Sequence, residues 1–264
     1  MIGLETQQFP AYSDTAATTP HSDKPLVQLR DFAMVKGSLP FDLELYRGLT
    51  VIETGREAHA TTLSLCLAGR MKPAQGVIAL NVSGNAAARA SEAAEKGSVP
   101  AEITAPRRRA PYVAIAGVTE LDALERLVPV GVVAREQVAW SQRWFKRAPK
   151  DPYLDPRFAE WAEAIGLDVD PNAKVGDLSA RERFQLRIVL GLIARPKAEL
   201  LIVDDVDQLK SIDAIHATTE AMANLSRRIS VVSVSVNGDP AGVADDHIRL
   251  ASRFTQSKDR EVAR

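Results

Sequence analysis

Three aspartates directly behind an apolar run are the residues of this chain best suited to chemistry. Residues 200–203 are all apolar and predict a buried strand, and Asp204, Asp205 and Asp207 follow its carboxyl end. Ligands bind at the carboxyl ends of parallel strands, where carboxylates typically face Mg²⁺, phosphate or a polarised water. On position alone, an equally good interpretation is that these acids only end a strand and cap the next helix.

A helix start lies upstream of this strand. Ser179, followed three residues later by Glu182, forms a capping box in which each side chain bonds the other residue's backbone N–H. The serine cap contributes about 1 kcal/mol. Apolar residues at helical spacing predict a buried helix that runs to Ala194, before Arg195 and Pro196. These apolar residues are Leu186, Val189, Leu190 and Ile193.

The elements that must position these residues alternate between short apolar strands and longer helices, which predicts an α/β protein with a mostly parallel sheet. Residues 26–32 and 41–46 alternate in polarity and predict an antiparallel edge. More continuously apolar segments predict a buried sheet (49–52, 77–80, 112–116, 200–203 and 231–236). Residues 120–177 predict a helical subdomain that holds all three tryptophans.

Composition excludes several classes of protein. The chain has 264 residues, 45% of them hydrophobic, and 33 basic against 34 acidic residues leave a net charge of −1. This balance provides no field that would attract nucleic acid, so we expect no nucleic-acid partner. Cys66 is the single cysteine, which excludes a disulfide framework and favours a cytoplasmic protein.

The two ends of the chain and one internal segment have compositions that are typical of surface segments. Residues 1–25 predict a disordered tail, residues 26–250 the folded domain, and residues 251–264 a polar tail. Residues 86–111 predict a mobile surface connection, which would leave Arg107, Arg108 and Arg109 solvated. No apolar run approaches the roughly 20 residues that cross a bilayer.

The capping box, the buried helix and the acidic strand end together resemble the nucleotide-binding subunits of ABC transporters. In those subunits LSGGQ or LSGGE is the signature motif, and Leu178, Ser179 and Glu182 match it. Ala180 and Arg181 stand in place of the two glycines. The resemblance implies an ABC-type P-loop NTPase fold with an antiparallel β edge. It also implies that Asp204 supports Mg²⁺ and that Asp205 occupies the position of the catalytic glutamate.

The same resemblance requires a phosphate loop of the form GxxxxGK[S/T] near residue 55, and this loop is degenerate. Gly55 lies within it, but His59 stands at the glycine before the lysine and Ala60 at the lysine itself. Thr61 or Thr62 is the hydroxyl that remains for Mg²⁺. Loss of one charge-assisted contact costs roughly 1.5 to 3 kcal/mol, so we expect ATP and Mg²⁺ to bind weakly.

Other motif positions also depart from the family. No glutamine follows the strand at 112–116, where Gly117 and Val118 stand. Val236 and Asn237 occupy the place of the switch histidine, and residues 208–211 lack the SGLD pattern. We therefore predict an ATP-binding-subunit-like component of an ABC transport system that hydrolyses ATP weakly or not at all.

Several alternatives stay open. The resemblance implies a separate membrane permease as partner, a homodimer or heterodimer with an ABC subunit, and a position on the inner face of the membrane. The chain could instead be a pseudo-ATPase scaffold or regulator that docks on a permease without nucleotide chemistry. The aromatic and basic residues 140–150 could contact such a partner or simply pack in the core. A more remote alternative is a metal hydrolase built on Asp204, Asp205 and Asp207.

Overall fold

The fold is described here from a computed structural model, which describes residues 24–55, 59–82, 102–143 and 147–250. Almost all of the predicted tails, and residues 144–146 of the aromatic and basic segment, lie outside these ranges. The described strands are β1 (Val27–Ala33), β2 (Phe41–Leu45), β3 (Leu49–Glu53), β4 (Gln75–Asn81), β5 (Glu102–Ile103), β6 (Val113–Ala116), β7 (Leu200–Asp204), β8 (Ser230–Ser235) and β9 (Asp246–Arg249). The described helices are α1 (Ala60–Leu67), α2 (Pro106–Arg109), α3 (Thr119–Asp122), α4 (Val130–Trp140), α5 (Pro156–Ile165), α6 (Ala180–Ile193) and α7 (Ile212–Leu225).

A five-stranded parallel sheet in the order β6-β7-β8-β3-β9 forms the centre of the molecule and confirms the predicted fold class. All five strands point the same way, so their carboxyl ends share one edge of the sheet. That edge carries Glu53 at the end of β3 and Asp204 at the end of β7. Strand β9 was not anticipated, because residues 246–249 contain one aliphatic residue among polar ones.

The antiparallel strands form a sheet of their own in the order β2-β1-β4-β5. The assignment of residues 77–80 to the parallel sheet was wrong, because β4 pairs antiparallel with β1. Residues 78–80 are buried like a central strand, since β4 lies inside this second sheet and one of its faces packs against the core. An apolar run reports burial but not the direction of its neighbours.

Two apolar cores flank the parallel sheet, as period-2 alternation requires. On β7, Leu201 and Val203 join the core that contains helices α4, α5 and α6, whereas Leu200 and Ile202 join the core that contains α1 and the antiparallel sheet. Helices α4 and α5 lie within residues 120–177. Within the described residues, no helix is long and apolar enough to cross a membrane.

The prediction that Arg109 is solvated was wrong. Its side chain is 1% exposed, and its guanidinium donates to four carbonyl oxygens, at 2.7 Å to Cys66, 3.3 Å to Leu67, 2.6 Å to Ile78 and 3.1 Å to Thr104. Burial lowers the pKa of Arg109 to about 10. The reason is geometric, because α1 ends beside α2 and its last carbonyl groups need donors. Arg107 and Arg108 are exposed, as expected.

Candidate functional site

The predicted phosphate loop connects β3 to α1 at the carboxyl edge of the parallel sheet. The chain leaves β3 through Thr54, whose backbone N–H donates to the Ser235 carbonyl at 2.8 Å. His59 is the residue that precedes α1, with a φ of 53° in the left-handed region. This backbone conformation favours glycine, so the turn keeps a glycine-like geometry although a histidine occupies it. Residues 56–58 of the loop lie outside the described part.

Helix α1 begins with Ala60, at the position where the predicted motif would place a lysine. The first N–H groups of a helix lack intrahelical partners and carry partial positive charge, which favours anions. No side-chain cap bonds them among the described residues. Ala60 begins the helix, so backbone N–H groups are the donors that this position retains.

Asp204 and Thr61 meet beneath this helix terminus. The Thr61 hydroxyl donates to Asp204 Oδ2 at 2.7 Å, and the Ser64 hydroxyl donates to Oδ1 at 2.6 Å. Asp204 is 1% exposed, and burial raises the pKa of its carboxyl group. The structure thus brings together one predicted hydroxyl and one predicted carboxylate. Thr62 makes no hydrogen bond with Asp204.

Ser64 was missed from the sequence. It lies three residues after Thr61, one turn along α1, so the two hydroxyls share a face of the helix. That spacing was the available signal. Its meaning depended on the position of β7, which the sequence alone does not provide.

Asp205 and Asp207 turn away from Asp204. Asp205 has a φ of 48° and an exposed side chain, and its carboxylate accepts no hydrogen bond within the described part of the chain. Partial burial of its carboxyl group, followed by the neighbouring charges of Asp207 and Asp204, raises the pKa of Asp205. Asp207 accepts from the Val236 N–H at 2.6 Å and from Asn237 Nδ2 at 2.7 Å.

These three aspartates do not form a metal-binding cluster. The described residues contain no group of three or more His, Cys, Asp or Glu side chains that could hold a metal ion.

The capping box at the start of α6 is present as predicted. Ser179 Oγ accepts from the Glu182 N–H at 3.2 Å, and Glu182 Oε2 accepts from the Ser179 N–H at 2.7 Å. These hydrogen bonds lower the pKa of Glu182. Leu178 is buried beside the cap. No hydrogen bond or ion pair among the described residues joins this cap to Thr61 or Asp204.

A polar network that the sequence did not reveal lies beside the acidic residues. It contains Gly117 after β6, Asp122 at the end of α3, Arg187 on α6 and Gln208 after β7. Gly117 also approaches β7, because a Cβ at this position would lie 2.0 Å from the Asp204 carbonyl oxygen. The network therefore contacts the backbone that carries Asp204.

An open groove of about 600 Å³ lies between the end of α1, helix α4 and helix α6. Leu121 and Trp140 line it, and the Trp140 side chain is 77% exposed. Arg70 also lines it, and its pKa is lowered by burial and, to a smaller extent, by the charge of Arg195. The groove thus combines an apolar surface with charges of both signs, because Asp122 and Glu136 line it as well as Arg70 and Arg187.

Comparison with known proteins supports the fold through structure and not through sequence. No protein-family model matches the chain, and no curated protein matches it. A Pyrococcus furiosus protein described as an ABC transporter ATP-binding protein matches with a TM-score of 0.58 and 13% identity, over 85% of this chain and 96% of that one.

Two further solved structures match the fold of this chain. The protein cbiO1 of Clostridium perfringens, part of the ABC transporter complex cbiONQ, matches with a TM-score of 0.56 and 12% identity, over 81% of this chain and 78% of that one. A bacterial ABC transporter cassette with a dimeric structure matches with a TM-score of 0.55 and 10% identity, over 80% of this chain and 88% of that one. The chain therefore has the fold of ABC transporter ATP-binding cassettes.

Proposed function

We propose that this protein is an ATP-binding-subunit-like component of an ABC transport system with weak or no ATP hydrolysis. The observation that carries the proposal is the Thr61–Asp204 hydrogen bond of 2.7 Å, which joins the terminus of α1 to the end of β7. A hydroxyl and a carboxylate at this junction supply the oxygen ligands that Mg²⁺ prefers. Ala60 beside them is the reason to expect weak nucleotide affinity.

Each predicted site residue has a role in this proposal. Asp204 would hold Mg²⁺ through water, with the Thr61 hydroxyl as its neighbour, and Asp205 would orient a water molecule if hydrolysis occurs. Bound Mg²⁺ would neutralise charge on the nucleotide phosphates. The backbone around the phosphates would come from the degenerate loop (Gly55, His59, Ala60, Thr61 and Thr62). Leu178, Ser179 and Glu182 would face the nucleotide of a partner ABC subunit, identical or different.

Restoring the missing cation provides a direct test. Ala60→Lys should strengthen Mg-ATP binding by about 10- to 100-fold, because a charge-assisted contact contributes roughly 1.5 to 3 kcal/mol. Ala60→Met is the matched control, since it adds a side chain of similar length without charge. Binding can be measured as a rise in melting temperature, because a ligand selective for the folded state stabilises it. Equal affinities for the two variants would contradict the proposed site.

Turnover by the unmodified protein tests the second part of the proposal. We expect hydrolysis of Mg-ATP to be far below that of an intact ABC subunit. A comparable rate that Asp205→Asn abolishes would overturn the prediction of a weak or inactive enzyme.

The groove supports the proposal that a separate membrane permease is a partner of this protein. A pseudo-ATPase scaffold would use the same groove to dock on a permease. The apolar wall of the groove, which Leu121 and Trp140 form, fits the apolar face of an amphipathic permease segment. Trp140→Asp should reduce recovery of the permease with the protein from native membranes. Leu154→Asp is the control, because Leu154 is 73% exposed and does not line the groove. Undiminished recovery with Trp140→Asp would argue against docking here.

The response of the melting temperature to nucleotide distinguishes an ATP-binding subunit from a scaffold without nucleotide chemistry. A rise in melting temperature at millimolar Mg-ATP would support the ATP-binding subunit, which lies in the cytoplasm against the inner face of the membrane in this proposal. The absence of any rise would favour a scaffold that works without nucleotide.

A further inference from the structure

A small cavity of about 260 Å³ lies between the chain that runs from α3 to Arg126, the first two turns of α6 and the segment after β7. Three arginines line it, Arg126, Arg183 and Arg187, and its lining contains no acidic residue. Thr119 and Gln208 add a hydroxyl and an amide. Pockets for drug-sized ligands measure about 300 to 1,000 Å³, so this cavity suits a smaller molecule.

Two of the three arginines have no carboxylate partner. Arg126 is exposed, and within the described ranges its guanidinium makes neither a hydrogen bond nor an ion pair. Arg183 donates to two backbone carbonyl oxygens and forms no ion pair with the carboxylates that the structure describes. The carboxylate of Glu182, the next residue in the chain, accepts instead from the Ser179 N–H. Two positive charges at the cavity are therefore left without a direct counter-charge.

Arg187 contributes a third guanidinium, which is held in place by other side chains. It is 11% exposed, pairs with Asp122 and donates to Gln208 Oε1 at 2.5 Å. Its Nε is buried and has no hydrogen-bond partner within the described part of the chain. Buried polar groups are almost always hydrogen-bonded, so this free donor marks a place where a polar partner is missing.

The donors of the cavity match the oxygens of a phosphate group. A guanidinium is a planar fork that binds two oxygens of one phosphate at once, and such charge-assisted hydrogen bonds are about twice as strong as neutral ones. Two uncompensated charges favour a dianion over a singly charged ion. The Thr119 hydroxyl can donate to a further oxygen.

We propose that this cavity binds a small phosphate, either inorganic phosphate or a phosphate monoester, through Arg126 and Arg183. The inference goes beyond the proposed function, because neither Thr61 nor Asp204 lines the cavity and no nucleotide is required. The site is also separate from the groove, which Arg126 and Arg183 do not line.

Calorimetric titration of the full chain with inorganic phosphate tests the proposal. Neither Mg²⁺ nor nucleotide is present, and sodium chloride keeps the ionic strength constant. We expect saturable binding of one phosphate per chain. Arg126→Met should weaken it by about 10- to 100-fold, because one charge-assisted contact is lost. This variant should fold, since within the described residues the Arg126 side chain has no partner to lose.

Two more variants complete the titration. Arg108→Met is the matched control, because it removes an exposed arginine that does not line the cavity, and it should keep the full affinity. Arg183→Met should weaken binding as Arg126→Met does. A parallel titration with glycerol 3-phosphate identifies the source of the phosphate, since the ligand with the lower Kd shows whether the site prefers the free ion or a monoester.

Binding that Arg126→Met weakens and Arg108→Met preserves would support the cavity as a phosphate site. The proposal is overturned if neither ligand binds saturably. It is also overturned if Arg126→Met and Arg183→Met keep the affinity of the unmodified protein, because the phosphate would then bind elsewhere. These results are independent of the proposed nucleotide site, which is judged by the response of the melting temperature to Mg-ATP.

Discussion

Gly117 offers the sharpest test of how the site is assembled. Its φ of 92° lies in the left-handed region, and a Cβ here would lie 2.0 Å from the Asp204 carbonyl oxygen. Gly166, at the end of α5, has a φ of 69°, and nothing in the described structure lies within 4 Å of a Cβ added there. Gly117→Ala and Gly166→Ala therefore impose a similar backbone penalty but differ in the space available.

The expected magnitudes follow from these two contributions. Placing alanine in a left-handed conformation costs about 1 to 2 kcal/mol, and both variants pay that cost. At Gly117 the buried end of β7 must also move, and overpacking of this kind adds typically 1 to 3 kcal/mol. Gly117→Ala should therefore lose about 2 to 5 kcal/mol in total, and Gly166→Ala about 1 to 2 kcal/mol.

Urea unfolding followed by circular dichroism measures the difference, and calorimetry provides a second estimate. At roughly 2 to 4 °C per kcal/mol for a protein of this size, Gly117→Ala should melt several degrees below Gly166→Ala. Equal losses for the two variants would refute the reasoning, because they would show that Gly117 does not pack closely against Asp204.

Three further predictions concern other parts of the fold. Arg109→Met should lose at least about 2 kcal/mol of stability in urea unfolding, since each buried carbonyl left without a donor costs roughly 1 to 3 kcal/mol. The control is Arg108→Met at an exposed position, which should change stability by about 0.5 kcal/mol or less. Similar losses for the two variants would contradict this role for Arg109. The lowered pKa of Glu182 means that its stabilising effect is present above the pKa of the unfolded chain and is lost as the pH falls through the lower folded value. Glu182→Ala should therefore cost about 0.3 to 1 kcal/mol at pH 7 and less near pH 3, because its carboxylate accepts from the Ser179 N–H at the start of α6. A cost that does not change with pH would count against this role of Glu182. His59→Gly should raise the melting temperature slightly, because glycine relieves a left-handed residue that costs about 1 to 2 kcal/mol, and a lower melting temperature would contradict that strain.

Local signals in the sequence were sufficient for much of the fold. The capping box at Ser179, the buried helix behind it and the strand before Asp204 were each predicted from neighbouring residues, and each is present. These features could be predicted because capping and hydrophobic periodicity act over a few residues. The likeness to ABC cassettes is likewise visible in structure, although sequence identity is only 10 to 13%.

Partners that lie far apart in the chain could not be predicted in the same way. Arg109 lies in a segment with the composition of a surface loop, and its burial depends on where the end of α1 packs beside the middle of β4. The polar network around Arg187 joins this residue to Asp122, which lies 65 positions earlier in the chain. Pairings of this kind depend on tertiary packing, because a charged residue is stable in the interior only where its partners surround it.

The sequence by itself determined the α/β class, the buried helix α6 with its cap, the strand that ends at Asp204, and the presence of Ala60 where the family resemblance requires a lysine. Tertiary structure alone decided which polar groups meet. It placed Thr61 and Ser64 on one carboxylate, turned Asp205 and Asp207 away from it, and enclosed Arg187. The reason is that helix and strand signals are local, whereas a binding site consists of side chains that only the packing of distant elements brings within hydrogen-bonding distance.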